Sequence, residues 1–301
     1  MKKVNLIDAS EVPEQLVAIL REKNVVDYKI ISVNAAKGRY NLRISAEDGR
    51  PLFVKYNDEK AAGWNSFQKE KGIYSLLKGE SYIPKVIYNE NILAIEYIED
   101  SCTLRELLLR DDDTELFSHL IRDLIDKYKA FLRKINECPD RELKTLDAGK
   151  ALNSFLAKLL MSGPYGSKVY KIERFRNKCL YHLFRERYAA RINLSENTRA
   201  IHGDFHINNI LVADRKAYII DLENVVRGNA AIELAYWYVQ IWVLVYHNRD
   251  LLRILEKEIR SIFDMDMVDE REFYTVVELY QKAILFNRRF HGPEKGWGKR
   301  F

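Results

Sequence analysis

Cysteine is scarce in this chain of 301 residues: the three present, Cys102, Cys138 and Cys179, are odd in number and far apart. They offer neither a disulfide framework nor a metal-type spacing, which excludes small stapled scaffolds and predicts a reduced, cytoplasmic protein. Long apolar runs are missing too. The strongest, "AYWYVQIWVLVY" (235–246), is too short for a bilayer span, contains Gln240 and follows Glu233. It reads as a buried core helix, and no transmembrane segment is expected. The opening "MKKVNLIDAS" meets Asn5 and Asp8 before an apolar core can form, so no secretory leader is expected. Repeats, low-complexity tracts and nucleic-acid-binding motifs are also lacking, and no nucleic-acid partner is expected.

What is present fits a soluble enzyme of ordinary composition, 47% hydrophobic and 31% charged, and long enough for two lobes. The net charge of +5 is unevenly spread. Between Lys168 and Arg191 eight basic residues face only Glu173 and Glu186, and the tail "NRRFHGPEKGWGKRF" is basic as well. Two readings stand: a solvated helix face, or a surface that meets an anionic substrate.

The first hundred residues alternate. "EVPEQLVAILREK" (11–23) predicts a short amphipathic helix with Pro13 in its first turn. Strands are expected over 28–33, 39–46 and 51–56, the last two joined by the tight turn "EDGR". A helix from Trp64 to Lys78 carries Phe67, Tyr74 and Leu77 near one face with Glu70 between them, and "KVIY" and "ILAIEY" add two strands. The order predicts a compact five-stranded α+β lobe over residues 1–99. From there to 301 the pattern turns helical. Residues 116–135 carry a continuous apolar stripe, and further helices are expected over 150–161, 171–190, 230–246, 250–263 and 270–290. "DDDTE" (111–115) reads as a helix N-terminus, where acids complement the dipole. Only "NILVA" and "AYIID", joined by "DRK", look like a strand pair in this half.

That hairpin carries the chemistry. "IHGDFHINNILV" (201–212) sets polar residues between apolar flanks, and "YIIDLE" (218–223) follows. Asp204, Asn209 and Asp221 lie 5 and 12 residues apart, so a short loop and a returning hairpin would converge three oxygen groups. Carboxylate and amide oxygens suit a hard cation such as Mg²⁺. Asn209 cannot be a base, Asp221 can bridge metals, and Asp204 can orient and deprotonate a hydroxyl. Zinc held by His202 and His206 would lack a third ligand at matching spacing. A hydrolase would lack the G-x-S-x-G elbow. As turn and cap groups alone, the residues would leave an acid at the end of the apolar strand "YIID", where burial costs several kcal/mol unless it is paired.

"HGDFHINNIL" followed by "IIDLE" resembles the aminoglycoside phosphotransferase and choline kinase-like family, whose pattern is H-G-D-x-x-x-x-N and then I-D-x-[DE]. The resemblance extends from about residue 28 to about residue 245. It implies a bilobal protein-kinase-like fold, with a small antiparallel nucleotide-binding lobe over 1–99 and a larger, mostly helical lobe over 100–301. It implies ATP and Mg²⁺, with GTP left open, and a catalytic loop over 202–209 with Asp204 as base. Asn209 becomes a metal ligand from that loop and Asp221 the main one from a segment over 219–223, with Glu223 where the family has a second acid. Lys55 in "LFVKY" falls where the family has a phosphate-binding lysine, and Glu70 where it has that lysine's helix partner. "AIEYIE" matches the hinge (95–99), so that the Glu96 carbonyl and the Ile98 N–H would meet the base. The sequence departs from the family where "VNAAKGRYN" replaces the phosphate-covering loop with a single glycine, Gly38, where Ile207 and Asn208 replace Pro and Gly, and where Glu233 replaces an Asp and reads as a helix cap.

The acceptor stays open. The basic segments disfavour a cationic aminoglycoside and predict a small hydroxylated substrate, or a sugar on an anionic glycan or glycolipid. Trp237, Tyr238, Trp242 and Tyr246 read either as the core of a buried helix or as a sugar or quaternary-ammonium platform. A nucleotide-binding module without turnover and an aminoglycoside-modifying kinase are the competing functions.

Overall fold

The computed structural model describes residues 12–291, apart from 26, 35–37, 47, 138–142, 162–170, 190–191, 193, 196–197 and 265. Contacts divide the chain into two units. The first holds the residues up to Asp100 together with Tyr218–Asn224, and the second holds Ser101–Ala217 and the chain from Val225 on.

In the first unit, helix α1 (Glu14–Glu22) precedes strands β1 (Asp27–Asn34), β2 (Arg39–Ser45) and β3 (Pro51–Asn57). Helix α2 (Trp64–Leu76) is followed by β4 (Val86–Asn89) and β5 (Leu93–Glu96). The five strands form the antiparallel sheet expected from the sequence, and they lie in the order β1-β2-β3-β5-β4. Alternation assigns its faces. Leu42, Ile44, Leu52, Val54 and Tyr56 bury one side in a cluster with Leu16, Ile19 and Leu20 of α1. Across β2 and β3, Asn41 pairs with Lys55 and Arg39 with Asn57, so these four share the opposite face. Pro13 is the N-cap of α1 rather than part of its first turn, since its extended ψ of 137° lies outside the helical region.

Gly38 opens β2 in the left-handed region, with φ +58°. A Cβ there would collide with that of Ala61, and the Gly38 carbonyl accepts the Asp58 N–H at 2.8 Å. The polypeptide therefore enters β2 from a fixed point that only glycine fits.

The second unit is mostly helical. It runs β6 (Cys102–Thr103), α3 (Leu104–Leu108), α4 (Thr114–Ile135), α5 (Ala148–Met161) and α6 (Lys171–Arg187). Then come β7 (Arg199–Ile201), β8 (Ile210–Ala213), β9 (Lys216–Ile219), which leads out of the unit, and β10 (Val226–Gly228). Helices α7 (Ala230–Val245), α8 (Arg249–Ile259) and α9 (Glu270–His291) complete it. Asp113 caps α4 by accepting the Glu115 and Leu116 N–H groups, in line with the acidic run read there. Two strand pairings exceed the single hairpin expected: β6 adds to β8 and β9, and β7 pairs with β10. These extra strands are two or three residues long, too short to show alternation. The expected helix over 250–263 ends its α-helical part at Ile259 and continues as a 3-10 turn over Arg260–Asp264.

Helix α7 is buried on nearly every side. Trp237 and Tyr238 are core, whereas Tyr246 is exposed, so the four aromatics make neither a single core stripe nor a single platform. No helix among the described residues is long and apolar enough to cross a membrane. Of the basic segment 168–191, Lys178, Arg185 and Arg187 are described and exposed; most of the rest, and side chains 288–300, lie outside the described residues. Cys138 lies outside them as well, while Cys102 and Cys179 are free thiols.

Candidate active site

The first unit assembles a charged cluster on the sheet face opposite α1. Lys55 projects from β3, and its Nζ lies 2.7 Å from Glu70 Oε1 and 2.8 Å from Asp221 Oδ1. Glu70 is delivered by α2, on the side that also buries Phe67, Ile73 and Tyr74, and is 1% exposed. Asp221 arrives from the far half of the chain. Beyond β9, whose Ile219 N–H donates to the Tyr82 carbonyl at 2.7 Å, the backbone turns left-handed at Asp221, with φ +64°. A 3-10 turn over Leu222–Asn224 then buries Leu222 and brings in Glu223. The backbone N–H of Asp221 donates to the Tyr74 hydroxyl, which holds this strained residue in place.

Charge accounts for the protonation states. Burial pushes the Lys55 pKa down, but the Glu70 and Asp221 carboxylates outweigh it and hold the ammonium well above its ordinary value. Burial raises the Glu70 pKa, an effect opposed by Lys55. Tyr74, fully buried beside these acids, is held in its phenol form. Arg39 Nη2 lies 2.5 Å from Glu223 Oε2. The contact is an ion pair, and among the described residues no aligned hydrogen-bond donor reaches Glu223 Oε2. Two cations thus face three carboxylates, which favours a further cation. Glu70, Asp221 and Glu223 each present an oxygen, all within 4.8 Å of one another. An all-oxygen set of this kind fits a hard divalent ion such as Mg²⁺. Glu96 ends β5 opposite Leu52, its N–H donating to the Lys85 carbonyl at 2.8 Å, and Ile98 follows beyond the paired strand.

The second unit holds the polar loop between β7 and β8. Gly203 takes φ +79°, turning the chain sharply at "HGD". Glu233, fully buried on α7, accepts the backbone N–H of His202 at 3.1 Å, those of Gly203 and Phe205, and the Tyr128 hydroxyl at 2.8 Å. Expected as a helix cap, Glu233 instead ties down the loop; Asn229 caps α7 through the Ala231 and Ile232 N–H groups. Burial drives the Glu233 pKa up to about 7 against the pull of those donors. Phe205 stacks on Tyr128 with ring centroids 4.2 Å apart, and Gln240 Oε1 accepts the Ile207 N–H at 3.2 Å.

The loop sets its functional groups by these anchors. Asn209 Nδ2 donates to the Asp204 carbonyl at 3.0 Å, and among the described residues no group donates to its Oδ1, which stays available as a ligand. The Asp204 side chain is 21% exposed, with His206 Nε2 at 3.5 Å from its Oδ2. His202 is fully buried and its Nδ1 accepts the Asp204 N–H at 3.3 Å, a scaffold role that leaves it no place in a zinc pair. The structure therefore groups Lys55, Glu70, Asp221 and Glu223 in one unit, and Asp204 and Asn209 in the other. Sequence reading missed Tyr74, Arg39, Tyr128 and Gln240. None sits in a motif, and each is identified only by a partner at least 33 residues away.

The model of a family described as "Phosphotransferase enzyme family" matches residues 34–266. Among solved structures, an aminoglycoside phosphotransferase from Streptomyces rimosus aligns with TM-score 0.54 at 14% identity, over 93% of this chain and 99% of its own. The choline kinase of Streptococcus pneumoniae aligns with TM-score 0.51 at 15% identity, over 95% and 94%. A type I macrolide 2′-phosphotransferase aligns with TM-score 0.54 at 11% identity, over 97% and 96%. At such identities the likeness shows the fold, which is protein-kinase-like. A search of curated protein sequences finds no match.

Proposed function

Since the chain belongs to the phosphotransferase enzyme family, we propose that it moves the γ-phosphate of ATP, with Mg²⁺, to a hydroxyl of a small molecule. One observation carries this reading: Lys55, Glu70 and Asp221 meet in a single part-buried ion-pair cluster, the arrangement needed to place a cation for phosphate beside a carboxylate for metal. Glu70 holds Lys55 extended from β3, so the ammonium is fixed before a nucleotide binds. Asp221, with Glu223 as a further oxygen donor and Asn209 as an amide ligand, would hold Mg²⁺. Bound there, the ion would neutralise phosphate charge as it develops. The Glu96 carbonyl and Ile98 N–H would meet the base, with GTP an alternative to ATP. A solved spectinomycin phosphotransferase of TM-score 0.54 is an AMP-bound complex, in keeping with a nucleotide site in this fold.

Asp204 is the general base. It is partly exposed on a loop whose backbone is anchored by Glu233 and Gln240, so its carboxylate can receive the acceptor's hydroxyl proton without the loop moving. The acceptor is a small hydroxylated molecule, a sugar, amino alcohol or anionic glycan, and the basic stretch around Lys178, Arg185 and Arg187 favours an anionic one. Unpaired Cys102 and Cys179 suit a cytoplasmic setting.

An ATP-consumption screen over pooled sugars, amino alcohols, nucleosides, aminoglycosides and lipid-linked glycans tests the reading. Asp204→Asn should lose at least about 100-fold in turnover on any hit while binding Mg-ATP as wild type does. Nucleotide binding with no phosphorylated product would favour a binding module, and absence of Mg-dependent nucleotide binding would defeat both.

A further inference from the structure

We propose that Arg39 is a phosphate-binding residue of the nucleotide site, held in reserve by Glu223 until a metal-bound nucleotide arrives; this rests on the phosphotransferase reading above. The loop "VNAAKGRYN" has one glycine, so it offers little of the close backbone approach by which glycine-rich loops cradle phosphates. It presents instead a guanidinium at its exit. Gly38 fixes where Arg39 begins, through its φ of +58°, its contact with Ala61 and its bond to Asp58. Register fixes where Arg39 points: Asn41 is opposite Lys55, so Arg39, two residues along β2, stands on the Lys55 face beside Asn57.

That face has unmet hydrogen-bonding capacity. Arg39 makes no aligned hydrogen bond among the described residues, although a guanidinium carries five donors. Among the described residues, neither side-chain polar atom of Asn57, which is 1% exposed, has a hydrogen-bond partner, and Asn41 Oδ1 is buried and unpartnered as well. Orphaned groups of this kind cost stability unless a ligand or water completes them. Lys55 is already matched by two carboxylates, whereas among the described residues the one anion beside Arg39 is Glu223. If Glu223 turns to a cation, Arg39 is left uncompensated, and a phosphate, which a guanidinium can grip with two parallel N–H groups, restores the balance.

The test measures dissociation constants for ADP and adenosine by calorimetry, with and without Mg²⁺, on the full chain. Arg39→Ala should weaken ADP about 10- to 100-fold and leave adenosine unchanged, and Arg39→Lys should recover only part of the loss. Arg39→Gln carries the same comparison if the alanine variant does not fold. Glu223→Gln should tighten Mg-free ADP several-fold by releasing Arg39, and the gain should vanish in the Arg39→Ala, Glu223→Gln double variant. Equal loss for ADP and adenosine, or none, overturns the phosphate role. A gain that persists in the double variant overturns the reserve role. A wild type that binds ADP and phosphorylates an acceptor while Arg39 variants bind ADP normally refutes Arg39 alone. A wild type that binds no nucleotide refutes the phosphotransferase reading and this inference with it.

Discussion

Lys55 Nζ and Asp221 Oδ1 stand 2.8 Å apart across 166 residues of sequence. Together with Glu70 they bring three charges into one cluster, in which both carboxylates hold Lys55 charged and Lys55 opposes the effect of burial on Glu70.

Removing the cation should therefore be costly. In Lys55→Ala, Glu70 at 1% exposure keeps its burial and loses its partner, a defect worth about 3–5 kcal/mol. Part of that cost is relieved when the carboxyl takes up a proton. Urea unfolding should show a larger deficit relative to wild type at pH 8 than at pH 5, and equal deficits would contradict the pairing.

Tyr74→Phe removes the acceptor of the Asp221 N–H and little else, since the ring remains in its buried site. Stability should drop by about 1–3 kcal/mol. Freed from this bond, Asp221 loses its left-handed setting, so the Mg²⁺ dependence of ADP binding should weaken while adenosine binding does not change. Calorimetric Mg²⁺ titration against both ligands reads this out.

Glu233 gives stability a pH signature. Its folded pKa, about 7, lies above the ordinary 4.5, so the folded protein binds this proton more tightly than the unfolded chain. Its contribution to stability is complete below about pH 4.5, is lost as pH rises to about 7, and is flat beyond. The total is about 3 kcal/mol. Glu233→Gln should abolish this slope in Tm against pH. It should also lower stability throughout, because an amide offers one acceptor oxygen where the backbone of His202, Gly203 and Phe205 and the Tyr128 hydroxyl need two.

Gly38→Ala should destabilise more than Gly79→Ala. Both positions have positive φ, +58° and +95°, but only at Gly38 does an added Cβ meet a neighbour. We expect about 1 kcal/mol at Gly79 from backbone strain and at least about 2 kcal/mol at Gly38, where overpacking adds to it. Equal losses in urea would mean that Ala61 yields freely.

Much of this was legible in the sequence because the informative features are local. Alternation in "RYNLRIS" and "PLFVKYN" encodes both the strands and the face on which Lys55 stands, and "HGDFHINN" packs its loop chemistry into eight residues. Glu233 was misread because a helix-terminal acid looks the same whether it caps its own helix or accepts from a loop 30 residues earlier. The pair Arg39–Glu223 was invisible for a related reason: an exposed arginine and a buried one are spelled alike, and only the folded turn after β9 brings them together.

The grouping of Tyr218–Asn224 with the first hundred residues sets an order of events during synthesis. Residues 101–217 must leave the ribosome before the segment that carries the counter-charge for Lys55 can dock. At cellular elongation rates that is a wait of roughly 6–25 s, long against the time in which a small sheet can form. Through that interval the nascent first unit holds an ammonium matched by Glu70 alone, and Tyr74 lacks its backbone donor. Assembly of the charged cluster is thus a late step, and a chain truncated at Asp100 would carry the lysine without the aspartate that completes it.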